Sequence, residues 1–260
     1  MNRDILVCVK TVPSSSDVQV DSNFCLRRDS AALEWNLADE SALEAALRLR
    51  GRDVSVTVLS MGPPKAAAVL QQLYARGADR VILLSDPALA GADTRATAAA
   101  LAHAAWWLGM PELILCGRRA IDGETGQIPG ELAAALGFAC VSNVESIEHA
   151  PGGQLVLRRR LEDGIASVSA QPGLVVSLCE YSYPLRLPGI MSMRRSLSKS
   201  VELITAGDIG LPPAQCGRKG SPTRTVSMQN RYPGLRRCTK ETDVEKGAAE
   251  LVRRIGEVRK

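Results

Sequence analysis

The chain alternates short apolar runs with stretches of helical periodicity. "DILVCVK" is strand-like and ends in the polar loop "TVPSSSD". From Asn36 to Arg50, "NLADESALEAALRLR" puts Leu43, Ala46 and Leu47 on one helical stripe, with Asn36 as cap and Glu44 facing Arg48 at i,i+4. "DVSVTVLS" alternates as a strand, and "MGPPKAAAVLQQLYARG" reads as a helix with prolines near its first turn and Gly77 at its end. Strand "DRVILLS", helix "ADTRATAAALAHAAWWLG", strand "PELILCG" and helix "ETGQIPGELAAALG" follow. This β-α-β-α order predicts an α/β fold, a doubly wound and mostly parallel sheet covered on both faces.

After Cys140 the rhythm changes. Strand-like runs joined by Pro-Gly-Gly and Glu-Asp-Gly turns predict an antiparallel extension. From about Tyr181 periodicity fades among scattered prolines, until "TDVEKGAAELVRRIGEV" closes the chain as an amphipathic helix. A stretch of about 60 residues with little visible core is uncommon as a free loop and reads as an arm that packs on something else.

Composition narrows the function classes. Hydrophobic content of 45% and charged content of 23% suit a soluble globular protein, and 3% aromatic content argues against nucleic-acid stacking surfaces. The net charge is only +4, but residues 1–185 carry 16 basic and 21 acidic side chains while residues 186–260 carry 16 and 7. Such a basic tail suits nucleic acid, a membrane surface or a protein partner. Seven cysteines without a C-x-x-C pair favour a reduced, cytoplasmic setting. His103 and His149 lie in unrelated contexts, which disfavours a His-based metal site or triad. The start of the chain does not read as a signal peptide, and "ATAAALAHAAWWLGM" is too short to span a bilayer.

The chemistry concentrates in "CGRRAIDGETGQIPGELAAALG", residues 116–137, at the mouth of an expected strand. Open α/β sheets bind ligands beyond the carboxyl ends of their strands. Gly123, Gly126 and Gly130 allow close backbone approach, and Thr125 and Gln127 supply neutral hydrogen-bonding groups at a helix start, where free N–H groups favour an anion. A nucleotide phosphate fits that description, and so does an ordinary Gly-rich turn. Neither a G-x-G-x-x-G nor a P-loop pattern is present. Asp122 and Glu124 could act as acid and base, but lack an accompanying nucleophile.

"ILVCVK", "NLADESALEAALRL", "VTVLSMGPP", "ARGADRVILLSD", "LILCGRRAIDGETGQIPGELAAALG" and "PLRLPGIMSMRR" resemble, in order, the β-subunit of electron-transfer flavoprotein, over residue 4 to about residue 210. The resemblance implies an α/β nucleotide-binding domain of the adenine nucleotide α-hydrolase-like type over residues 1–185. Residues 186–260 would be a C-terminal arm packing on an α-subunit in an obligate heterodimer. It further implies an electron carrier rather than a stand-alone enzyme, with no catalytic side chain and no metal. One FAD would be shared with the α-subunit, and a second nucleotide, FAD or AMP, held by this chain.

The implied nucleotide site falls on Cys8, on Asn36, Leu37, Ala38 and Asp39, on Met61, and on the loop and helix start. There it takes in Asp122, Gly123, Glu124, Thr125, Gly126, Gln127, Ile128, Pro129, Gly130, Glu131, Leu132 and Ala133. "AIDGETGQ" is similar to the anaerobic, electron-bifurcating branch, in which a second FAD takes hydride from NADH. In the basic segment, Leu187, Pro188, Ile190 and Met191 match the apolar anchor that docks on a flavin dehydrogenase. Nucleic acid and membrane insertion then fall away as partners. The rival readings are a non-redox nucleotide-binding sensor of similar fold, which would lack an α-subunit and flavin, and a hydrolase using Asp122 or Glu124.

Overall fold

The computed structural model describes residues 4–14, 32–226 and 240–258. Cys25, Cys238 and residues 227–239 of the expected arm lie outside the described residues. The chain divides into two units, Met1–Arg224 and Thr225–Lys260.

In the first unit, β1 (Ile5–Cys8) is buried along its length, and a small hairpin follows of β2 (Thr11–Pro13) and β3 (Leu33–Trp35). Then come α1 (Leu37–Leu49), β4 (Val56–Met61), α2 (Ala66–Leu70), α3 (Gln72–Arg76) and β5 (Arg80–Leu84). Next are α4 (Thr94–Trp107), β6 (Leu113–Gly117) and α5 (Ile128–Leu136). β7 (Ala139–His149), β8 (Leu155–Arg160) and β9 (Ile165–Ala170) form an antiparallel meander. The chain closes this unit with β10 (Leu174–Leu178), α6 (Ile190–Ser196), β11 (Glu202–Ile204) and α7 (Gly217–Gly220).

The main sheet has nine strands in the order β11-β5-β4-β1-β6-β10-β7-β8-β9. Every pairing from β11 across to β7 is parallel. The expected α/β doubly wound fold is therefore present, with its antiparallel extension at one edge. From β1 the chain steps outward to β4 and β5, then crosses back over β1 to β6. Helix α1 packs on the face that carries Ile5 and Val7. Helices α4 and α5 pack on the opposite face, that of Leu6 and Cys8. The segments leaving β1 and β6 thus diverge to opposite faces, and that divergence opens a crevice at their carboxyl ends.

Some boundaries differ from expectation for local reasons. The helix expected over residues 61–77 is two short helices that begin only after Pro63 and Pro64, and Gly77 ends the second at φ 118°. Strand β10 returns to lie between β6 and β7, parallel to both, instead of extending the meander. Strand β11 pairs with β5 and, at three residues, is too short to show a period. The first of the two units runs to Arg224 and includes this strand.

The described part of the second unit contains α8 (Val244–Val258), matching the expected closing helix. Its polar face is laced by Arg253–Glu250 and Arg254–Glu250 pairs. Among the described residues, no helix is long and apolar enough to cross a membrane.

Candidate functional site at the sheet switch point

Cys8 and Cys116 are register partners at the carboxyl ends of β1 and β6, both buried. Immediately beyond them, helix α1 supplies a buried polar pair. Asn36 stands at the N-cap position, but its side chain does not cap. Its amide Nδ2 donates to Arg119 O at 2.9 Å, and its Oδ1 accepts from the Ile121 N–H at 3.1 Å. Asn36 therefore fastens the loop leaving β6 rather than its own helix. The expectation of an ordinary cap gives way to a tertiary contact across more than eighty residues.

Asp39 does the same for the strand ends. One carboxylate oxygen accepts the Lys10 N–H at 2.7 Å, and the other accepts the Gly117 N–H at 3.0 Å. Gly117 lies so close that an added Cβ would sit 2.2 Å from Asp39 Oδ1 and 2.8 Å from Ala38 Cβ. Only glycine permits this approach. Burial pushes the Asp39 carboxyl up to about 7, although both backbone N–H groups and Lys10 favour the ionised form.

The loop itself is shaped before any ligand arrives. Lys10 Nζ pairs with Asp122 Oδ1 at 2.6 Å, the carboxylate being nearly buried. Asp122 is thereby committed to positioning the loop, which disfavours a hydrolytic role for it. Glu124 stands at φ 51° and Gly126 at φ 63°. A glutamate in the left-handed region is uncommon, and strain of this kind gathers at functional turns. Beyond the loop, α5 presents its N-terminus, with Pro129 buried and Gly130 exposed. Thr94 at the start of α4 reaches across to Gln127 at 3.0 Å and to Glu131 at 3.1 Å.

On the far side of the loop, Arg118 and Arg119 both meet Glu180, just past β10, at 3.2 and 3.3 Å. Burial raises the Glu180 carboxyl, but its own backbone N–H and Arg118 outweigh that and hold it below its ordinary value. Lys10, Thr94 and Glu180 carried no pattern in the sequence that tied them to the loop. Each comes from a different strand end or helix start, and only the fold gathers them.

The expected site residues divide accordingly. Asn36, Asp39 and Asp122 are brought together as a framework around the crevice. Gly123, Glu124, Thr125, Gly126 and Gln127 are exposed along its rim. Cys8 and Met61 lie at neighbouring strand ends, while Leu37 and Ile128 are half-buried. Ala38, Leu132 and Ala133 are buried, so their side chains serve packing. Leu187, Ile190 and Met191 stand apart from the crevice, 86%, 85% and 64% exposed, with Pro188 half-buried between them.

A phosphate group fits the donor set. Free N–H groups at the α5 N-terminus suit a phosphate. A Cβ added at Gly123 would meet nothing within 4 Å, so the loop leaves open space there. Ser60, one residue short of the end of β4, is buried with its hydroxyl lacking a hydrogen-bond partner among the described residues. No group of three His, Cys, Asp or Glu able to hold a metal ion occurs among the described residues.

The model of the electron transfer flavoprotein domain matches residues 26–206. The chain is 38% identical over 228 residues to an electron transfer flavoprotein subunit beta of Thermoanaerobacterium thermosaccharolyticum, covering 86% of each chain. It is 35% identical over 257 residues to the subunit of the same name in Clostridium acetobutylicum, covering 98% of both. It is also 35% identical over 260 residues to the caffeyl-CoA reductase-Etf complex subunit CarD of Acetobacterium woodii, covering 97% of this chain and 98% of that one. With its fold, its crevice and matches that run nearly end to end, the chain belongs to the electron transfer flavoprotein family.

Proposed function

We propose that this chain is the β-type half of a heterodimeric electron-transfer flavoprotein, holding FAD or AMP at the β1–β6 crevice and relaying electrons between a flavin dehydrogenase and a further redox partner. Electron transfer as such follows from family membership. The observation that carries the finer reading is the convergence of Asn36, Asp39 and Lys10 on the strand ends and the loop that rim the crevice.

A flavin shared with an α-type subunit supplies the redox centre when bound. This chain's residues bind and orient. The α5 N-terminus would receive a phosphate, Gly123 would leave room for it, and Cys8 and Met61 would hold the nucleotide on the strand-end side. The open space at Gly123 and the wording "AIDGETGQ" favour FAD over AMP as the second nucleotide. With FAD there, NADH becomes an electron donor. The relative in a caffeyl-CoA reductase-Etf complex supports a CoA-thioester oxidoreductase as partner. Exposed Leu187, Ile190 and Met191 are the surface for it, and residues 186–260 are the arm that packs on the α-type subunit.

The test is to co-express the chain with its α-type subunit, denature the purified pair and separate the released nucleotides. FAD plus a second adenine nucleotide is the expected result. Two FAD per heterodimer supports the bifurcating arrangement, and one FAD with one AMP supports simple relay. A colourless, flavin-free chain that stays monomeric refutes the reading and leaves the non-redox nucleotide-binding sensor.

A further inference from the structure

The exposed apolar face from Leu187 to Leu197 is held at both ends by side chains that the nucleotide site does not use. At its entrance, Arg186 gives three hydrogen bonds to one carboxylate, that of Glu44 on α1. The backbone N–H reaches Oε2 at 3.2 Å, Nε reaches Oε2 at 2.9 Å, and Nη2 reaches Oε1 at 3.1 Å. Glu44 is only 4% accessible and also accepts from Arg48 Nε at 2.9 Å. Burial raises its carboxyl, but the hydrogen bonds from Arg186 and Arg48 outweigh that and hold it below its ordinary value. The Arg186 carbonyl, in turn, accepts from Arg76 Nη1 at 2.6 Å, and Arg76 lies over the Trp35 ring. Both backbone groups of the residue preceding Leu187 are therefore fixed.

The exit is fixed as firmly. Gln71 Nε2 donates to Lys199 O at 2.8 Å, and the Tyr74 hydroxyl donates to Ser200 O at 3.0 Å. The same hydroxyl accepts the Val81 N–H at 3.1 Å, which ties the exit to strand β5. Between these anchors lies α6, a helix of seven residues. A helix this short is not stable on its own in water. It packs against α3 and buries Ser196, its entry and exit are fixed by these anchors, and Leu187, Ile190, Met191, Met193 and Leu197 all face solvent.

A buried carboxylate shared by two arginines is a poor device for stability alone, since well-packed apolar residues do as well or better. What such a pair does supply is one fixed arrangement. We propose that Glu44, Arg186 and Tyr74 are positioning residues for partner docking, holding the Leu187–Leu197 face in its binding conformation before a partner arrives. The proposal rests on the reading of that face as the dehydrogenase surface. A segment ordered beforehand loses less conformational freedom on binding, so the clamp acts on affinity and not on the transfer step. The Glu44 and Arg48 spacing expected from the sequence is real, but its tertiary partner is the part that bears on function.

The test uses the complete heterodimer, with an acyl-CoA dehydrogenase that reduces the wild type as probe. Arg186→Met is expected to raise the dehydrogenase concentration at half-maximal rate about tenfold. Tyr74→Phe, which deletes one hydroxyl, is expected to raise it about threefold, and Glu44→Asp to fall between them. In all three variants kcat stays within about twofold of wild type, nucleotide content is unchanged, and deuterium exchange accelerates at the amides of residues 190–197. Faster exchange with an unchanged half-saturation concentration overturns the proposal, and so does unchanged exchange. Leu187→Ala, run in parallel, separates the two ideas. If it raises the half-saturation concentration while the clamp variants do not, only the clamp is wrong. If it has no effect, the docking reading fails and the clamp fails with it.

Discussion

Asp39 on α1 accepts the backbone N–H of Gly117 at 3.0 Å, joining the first helix to the end of a strand 78 residues later. The same carboxylate holds the Lys10 N–H at the end of the adjacent strand. One side chain thus braces both lips of the crevice, and several tests turn on it.

The first is a pH dependence. Burial raises the folded-state value of Asp39 from 3.8 to about 7. Between those values the folded chain binds a proton that the unfolded chain has released, so this group's stabilisation is full below about pH 4 and is lost as pH rises through about 7. Glu44, Asp93 and Glu180 are all lowered, so their contributions are lost only as pH falls through the acid range. The melting temperature of the nucleotide-free heterodimer should therefore decline from pH 5 to 7.5. Asp39→Asn should flatten that decline while lowering the curve, because the Lys10 and Gly117 N–H groups reach different oxygens and the amide would turn its NH2 towards one of them. Calorimetry that finds the wild-type slope intact in Asp39→Asn would rule this out.

Gly117→Ala should be severe. Its Cβ would press on Asp39 and on the backbone of Ala38, none of which can swing away. Overpacking in such a place costs about 1–3 kcal/mol and often more. The check is denaturant unfolding of the heterodimer, and a midpoint shift smaller than about 1 kcal/mol would show that the α1–β6 contact yields easily.

Gly123 and Gly126 separate backbone need from ligand need. Gly126 stands at φ 63° with Arg118 O at 3.4 Å from an added Cβ, so any substitution there strains the loop itself. Gly123 has neither constraint. Gly123→Val should leave melting of the nucleotide-free protein within about 0.5 kcal/mol of wild type, as for an uncrowded surface change. It should lower the content of the second nucleotide severalfold. Full nucleotide content in purified Gly123→Val would move the site away from this loop.

Leu187→Ala bears on the partner surface. Burying one leucine in a complex contributes about 1.5–3 kcal/mol, so transfer from a cognate dehydrogenase should weaken about tenfold or more. Melting temperature and flavin content should hold, since Leu187 is 86% exposed. A destabilised heterodimer with normal transfer per folded molecule would make Leu187 structural.

The alternation of apolar runs and helical stripes determined the fold class by itself, because parallel strands buried on both faces must read as continuous apolar segments, as "DILVCVK" and "PELILCG" do. Glycines and a proline also marked the loop after β6, as a phosphate site or an ordinary Gly-rich turn. Resemblance added the family, and with it the expectation of a docking segment. What the sequence could not supply was distance. Asn36 looked like a helix cap and Glu44 like one half of a surface pair, because both roles are local and written in adjacent residues. The structure gives Asn36 to the loop at Arg119 and Ile121, and Glu44 to Arg186. Strand β11 and the return of β10 between β6 and β7 were hidden for the same reason. Their places depend on which edges remain unpaired once the rest of the sheet has formed. Periodicity records which side of an element is buried, and only packing decides against what.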